Sequence, residues 1–248
     1  MKALLKTIEI EFKLFSRNFS SMFFTFAFPV MMLMIFGSIY GNEPSIIFGG
    51  LGTLDVTVPA YIGLIIGVTG LMSFPLSIAE YKERKIYKRF EGTPDGKRVV
   101  ILSQVIVNMT MTIIGILLLI MVGILVYKIN IKGNIIAVIF STLFAIISIF
   151  SIGLFVASIA PNMKAANVIS NFIYFAMIFL GGATVPIEIF PNFMKTIART
   201  MPMYYVVDML KNVFVGKPLT SVSLDLLVLS VMVIILISIS SFLYKREY

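Results

Sequence analysis

Six apolar runs, each long enough to cross a lipid bilayer, decide what this chain can fold into. They fall at about residues 19–40, 57–79, 99–127, 134–160, 165–185 and 223–244, and a spanning helix needs roughly 20 mostly apolar residues. Within hydrocarbon every backbone amide and carbonyl must find its partner inside the protein, so runs of this length fold as helices. The stretches between them are too short for a soluble domain of even about 50 residues. The expected fold is therefore all-α and polytopic, a single transmembrane domain over residues 1–248.

The segments between the runs add detail. Over residues 1–18, Leu4, Leu5, Ile8, Phe12, Phe15 and Phe19 recur every three or four positions, with Lys2, Lys6, Glu9, Lys13 and Arg17 opposite. That pattern predicts an amphipathic helix lying in the membrane interface. Glu9 and Glu11 interrupt this stretch, which argues against a cleaved leader. Pro29 predicts a kink in the first span. The long third run predicts a helix that tilts or projects beyond the bilayer. Residues 186–221, rich in proline, predict an irregular outer segment.

Charge fixes the expected orientation. The N-terminus, the 80–98 loop, the turn near Lys164 and the C-terminus together hold 14 of the 20 Lys and Arg residues, and the alternate loops hold six. The more basic side faces the cytoplasm, so both termini and the 80–98 loop are predicted there. This topological bias accounts for the net charge of +8 without nucleic acid as a partner.

Several chemistries are excluded. The chain has no Cys and no His, and hence no thiol nucleophile and none of the commonest metal ligand. Its spans are almost free of ionisable residues, against the habit of ion-coupled carriers. Glu91 through Arg98 looks superficially like a phosphate-binding loop. Three residues lie between its glycines where four are needed, and Arg98 stands where Ser or Thr must reach Mg²⁺. No catalytic residue, metal site or bound cofactor is expected, and any energy must arrive through a cytoplasmic contact.

Three groups of residues stand out. In the charge-rich run after the second span lie Glu83-Arg84, Ile86-Tyr87, Lys88-Arg89-Phe90 and Thr93-Pro94, leading into Ile101-Leu102-Ser103-Gln104. On the fifth span Asn167, Ser170, Asn171 and Tyr174 are spaced to share one helical face. That face fits a transport pathway or a dimer interface, and equally fits ordinary interhelical hydrogen bonding. The outer segment carries Gly181-Gly182, Pro186, Glu188, Pro191, Pro202, Tyr205 and Lys211. Gly63, Gly67 and Gly70 allow close helix contact on the second span.

Through the first and third groups, and through Gly153, Ala157, Ala160-Pro161 and Ala166-Asn167 at the fourth-to-fifth junction, the whole chain resembles the permease subunits of type-2 ABC transporters. Ile86-Tyr87 departs from the Gly-Thr often found there. The resemblance implies that residues 80–98 carry a coupling helix seated in a groove of a separate ATP-binding subunit, which would hold ATP and Mg²⁺. Ile86, Tyr87 and Phe90 would be its apolar anchors, and Glu83, Arg84, Lys88 and Arg89 would form exposed ion pairs worth about 0–1 kcal/mol each. A solvated basic loop attracting anionic membrane lipid is the plainer reading of the same residues. The resemblance also implies short outer helices that re-enter the membrane and roof the pathway. Two permease chains, identical or homologous, would join two ATP-binding subunits in a bacterial plasma membrane. An exporter of an amphipathic or hydrophobic substrate is expected, of drug or antibiotic type first and a lipid-linked glycan or peptide second. The alternatives are a non-transporting sensor or immunity module of the same fold and an ion-coupled secondary transporter.

Overall fold

A computed structural model describes residues 2–45, 50–90, 96–185 and 187–246. The chain is an all-α polytopic bundle, with six helices among the described residues long and apolar enough to span a membrane. Helix α1 (Lys2–Arg17) packs along the third span, burying Phe15 beside Val107 and Met111. Its polar face carries Lys6–Glu9 and Lys13–Glu9 pairs at 3.1 and 2.7 Å. Leu5 and Phe12 remain exposed, as an interfacial helix requires.

The first span is α2 (Phe19–Tyr40) and the second is α3 (Thr53–Glu83). Each contains one wide π turn, at Phe23–Ala27 and Val68–Ser73, immediately upstream of Pro29 and Pro75. A proline ring cannot share space with the carbonyl four residues back and has no amide to donate. A π turn accommodates both defects inside a continuous helix. The kink expected at Pro29 thus takes the form of a widened turn.

Helix α3 is the axis of the bundle. Its residues from Leu54 to Leu71 are buried almost without interruption. It runs four residues further at each end than the apolar pattern indicated, so Glu80–Glu83 belong to the span itself. The expected loop helix is then reduced to one turn, α4 (Ile86–Arg89). The third span, α5 (Gly96–Tyr127), has 32 residues. At 1.5 Å per residue it exceeds a hydrocarbon core of about 30 Å.

Helices α6 (Ile135–Ile159) and α7 (Met163–Leu180) form the fourth and fifth spans. Each begins on an asparagine whose side chain accepts from first-turn amides: Asn134 from Ile136 at 2.9 Å and Asn162 from Ala165 at 2.8 Å. Where α3 crosses α6, a Cβ on Gly153 would collide with the carbonyl oxygen of Gly70. Glycine is required there because the two backbones nearly touch.

The outer segment is helical, as the family resemblance implied and the proline pattern alone did not. Helix α8 (Asn192–Ala198) is short, but α9 (Pro202–Phe214) is a well-formed amphipathic helix. It lays Met203, Val206, Val207, Leu210 and Phe214 against α3, α6 and the last span, α10 (Ser223–Arg246). Pro202 occupies the first helical turn, where its missing amide costs nothing. Proline here starts a helix. At the same end a small antiparallel ribbon pairs β1 (Pro44–Ser45) with β2 (Leu51–Gly52). Beside it Asp55 accepts from Asn42 Nδ2 and from the Asn130 amide, both at 3.0 Å.

Candidate coupling site at the end of the second span

The end of α3 is tied to the turn between α6 and α7. Glu83 Oε2 accepts the Met163 amide at 2.7 Å, and Lys82 Nζ donates to the Ala160 carbonyl at 3.3 Å. The acceptor thus meets the positive N-terminal end of α7, and the cation meets the closing carbonyl of α6, as the helix dipoles favour. Fully buried Ala79, Ala160 and Ala166 pack together beneath, bringing the backbones close. The small residues singled out at this junction therefore have a packing reason. Glu83, expected to face a partner subunit, is engaged within the chain.

Arg84 pairs with Glu80 one turn back, at 2.9 Å. Lys85 then takes a left-handed conformation, φ 54°, and turns the chain into α4. Such a conformation is uncommon for a side chain with a Cβ and is held by its surroundings. Those surroundings centre on Tyr87. Expected as an exposed anchor, Tyr87 is only 1% exposed. Its hydroxyl donates to Gln104 Oε1 at 2.9 Å, and its ring lies 5.9 Å from that of Tyr81. This corrects the sequence reading: Tyr87 roots α4 in the bundle and presents nothing outward. Ile86 is half-buried, whereas Lys85, Lys88, Arg89 and Phe90 are exposed. Thr93 and Pro94 lie outside the described residues.

The stripe on α7 divides in two. Ser170 and Tyr174 are buried inside this chain, with the Tyr174 ring against Gly67. Asn167 is exposed, Asn171 is half-buried, and the two are hydrogen-bonded to each other. The four share an arc of the helix but not one environment. The 0, 3, 4, 7 spacing spreads over an arc wide enough to straddle the edge of the packed surface. Gly63 and Gly67 pack against Met203 and Val207 of α9 and against Tyr174, within the chain.

In the outer segment Gly181 closes α7, its amide donating to Met177 O at 2.7 Å. Gly182 follows at φ 81°, in the left-handed region glycine enters freely. Pro191 precedes α8, and Tyr205 donates to the Arg199 carbonyl at 2.8 Å, fastening the turn between α8 and α9. Lys211 lines a small cavity with Asp208 and Tyr204. Pro186 and the Glu188 side chain lie outside the described residues.

Three polar groupings were not singled out from the sequence. Gln104, Asn108 and Thr112, each four residues apart, form a buried ladder on α5. Thr112 donates to Thr69 of α3 at 2.8 Å, and Asn108 Nδ2 donates to the Gln104 carbonyl. Their spacing was a signal, overlooked because single polar residues in a long apolar run look incidental. The Asn42–Asp55 link brings together residues 13 positions apart, with no local signature. Asp225, in the first turn of α10, is buried close to Asp208 of α9.

The geometry is that of a multi-pass membrane protein in which one short loop helix is rooted between the second and third spans. A sequence model of the ABC-2 type transporter family matches residues 4–215, and the chain belongs to that family. Members of that family are membrane subunits of ABC transporters, a class that works with ATP-binding partners. Among characterised proteins it is similar to Nodulation protein J of Rhizobium leguminosarum bv. viciae, 26% identical over 97 residues. Nodulation protein J of Rhizobium meliloti (strain 1021) is 24% identical over the same length. These alignments span 39% of this chain and 38% and 37% of the two relatives.

Proposed function

We propose that this chain is the permease subunit of an ATP-driven exporter. It would sit in a bacterial plasma membrane with both termini and α4 cytoplasmic. Two such chains, identical or homologous, would assemble with two ATP-binding subunits. The observation that carries the reading is the double tie from Lys82 and Glu83 to the turn joining the fourth and fifth spans. A push on α4 is passed by Tyr87 to α5 and by the end of α3 to α6 and α7, so one contact moves four spans. ATP binding would shift the population of the bundle toward its outward-open state, and no reaction within this chain is needed.

The surface offered to the ATP-binding subunit is Lys85, Lys88, Arg89 and Phe90, with the edge of Ile86. Three cations around one aromatic side chain fit an acidic groove with an apolar pocket. In such contacts the buried aromatic carries most of the affinity, and the rim charges set orientation and rate. The largely apolar spans favour an amphipathic or hydrophobic substrate, of drug or antibiotic type before a lipid-linked glycan or peptide.

The test is co-purification of an ATP-binding subunit with wild type and with a Lys88→Glu, Arg89→Glu, Phe90→Ala variant, alongside uptake of a hydrophobic dye into inverted vesicles. The expected result is loss of both partner and ATP-dependent uptake in a variant that still inserts and melts normally. Dye movement abolished by an uncoupler but not by loss of ATP would overturn the proposal.

A further inference from the structure

At the end of the bundle that carries β1 and β2, a cavity of about 270 Å³ lies between α2, the start of α3, the chain that follows α7, and α9. Sites for drug-sized molecules run from about 300 to 1,000 Å³, so this one has room for a single short chain or ring system. Its wall is largely apolar, with Phe36, Leu54, Ala60 and Ala183 among its residues. Phe36 and Tyr40 of the first span, and Ile189, are exposed on that wall and mark the mouth.

Tyr61 of α3 stands on this wall and is only 4% exposed. Its hydroxyl has no hydrogen-bond partner among the described residues, and it is not one of the partnerless polar atoms sealed off from all access. The small surface that the hydroxyl keeps therefore opens into the cavity. Two other hydroxyls on the wall are engaged: Thr57 donates to the Thr53 carbonyl at 2.7 Å and Thr184 to the Ile178 carbonyl at 3.1 Å. A buried tyrosine hydroxyl ordinarily finds a partner. Here the partner has to be brought in. No carboxyl lines the described wall, so a cationic ligand would meet no counter-charge. A water could meet the hydroxyl, but an ordered cavity water makes about two to four hydrogen bonds, and it leaves the apolar wall uncovered. An apolar body with one carbonyl answers both needs: it covers the wall, and its oxygen accepts from Tyr61.

We infer that this cavity is a binding site for uncharged apolar molecules bearing a carbonyl group, with the Tyr61 hydroxyl as the donor that holds them. The inference stands apart from the export reading, because it concerns binding by this chain alone. The same chemistry could come from the ester carbonyl of a membrane lipid or from a free compound dissolved in the bilayer.

The chain has no tryptophan, so Phe36→Trp places a single reporter at the mouth. The full chain in phosphatidylcholine nanodiscs would be titrated with 2-decanone and, as a control without an acceptor, with decane. The expected result is a saturable change in emission with both probes. Tyr61→Phe should raise the 2-decanone midpoint about fivefold, as loss of one neutral hydrogen bond requires, and leave the decane midpoint unchanged. Membrane partitioning is common to both proteins and cancels in that ratio. In an alkyl maltoside detergent, which has no carbonyl, Tyr61→Phe should melt no lower than its parent, because the hydroxyl it removes holds nothing within the protein. Diether phosphatidylcholine, which lacks ester carbonyls, separates the sources. A lower 2-decanone midpoint there identifies a lipid ester as the resident occupant, and the same midpoint identifies a free compound. Equal 2-decanone midpoints for the parent and Tyr61→Phe would overturn the proposal. So would a lower melting temperature of the variant in that detergent, or no saturation with either probe, the result for a hydroxyl met by water alone.

Discussion

Tyr87 and Phe90 lie three residues apart in the loop after the second span, and their truncations should fail in opposite ways. Tyr87→Ala removes a ring that is 1% exposed and leaves Gln104 Oε1 without its 2.9 Å donor. Truncating a buried aromatic costs about 3–5 kcal/mol, and for a chain of this size each kcal/mol lowers the melting temperature by about 2–4 °C. A fall on the order of 10 °C is expected for the purified permease without any partner. Tyr87→Phe keeps the ring and loses only the hydroxyl, and should cost about 1–3 kcal/mol. Phe90, 38% exposed, should lower the melting temperature far less than Tyr87 when cut to alanine. It should instead weaken association with the ATP-binding subunit by about 2 kcal/mol, or about 30-fold. Thermal unfolding in detergent and surface-immobilised binding read the two effects separately. A Tyr87→Ala protein that melts like wild type yet loses the partner would refute the assignment of Tyr87 to the inside and restore it to the docking face.

Other outcomes follow from the same geometry. Gly153→Ala forces a methyl group onto the Gly70 carbonyl, and overpacking of this kind costs about 1–3 kcal/mol or more. Gly63→Ala, whose new atom meets the ends of two flexible side chains, Val207 at 3.1 Å and Met203 at 3.5 Å, should be milder, and equal melting temperatures would contradict the crossing. Glu83→Gln should keep the fold, since the amide oxygen can still accept from Met163, but should lower ATP-driven transport more than partner binding. Parallel loss of both would place Glu83 at the interface after all. Asp55→Ala removes the acceptor shared by Asn42 and Asn130 and should cost about 1–3 kcal/mol, read by denaturation. Glu11 binds its proton more tightly in the folded protein than in the unfolded chain. Its contribution to stability is therefore complete below the ordinary carboxyl range and is lost as pH rises through the raised folded value. Glu11→Gln should abolish that part of the pH profile.

The hydrophobic pattern by itself determined the six spans and the N-terminal amphipathic helix, because lipid leaves a long apolar run no other way to satisfy its backbone. Local chemistry also sets the starts of α6 and α7, where the Asn134 and Asn162 side chains cap the helices that follow them. What each polar residue faces could not be read in the same way, since both sides of a membrane helix are apolar and hydropathy does not separate lipid from protein. Tyr87 looked like an anchor for a partner and is a root, because α5 brings Gln104 to its hydroxyl from 17 residues away. Asn167 and Ser170 shared a stripe on paper, yet only Ser170 reaches the core. The prolines of the outer segment signalled broken chain, and tertiary packing made one of them the start of a buried helix. The link from Glu83 to Met163 joins residues 80 positions apart. Only the crossing of α3 with α6, close enough to demand glycine on both sides, brings those two turns together.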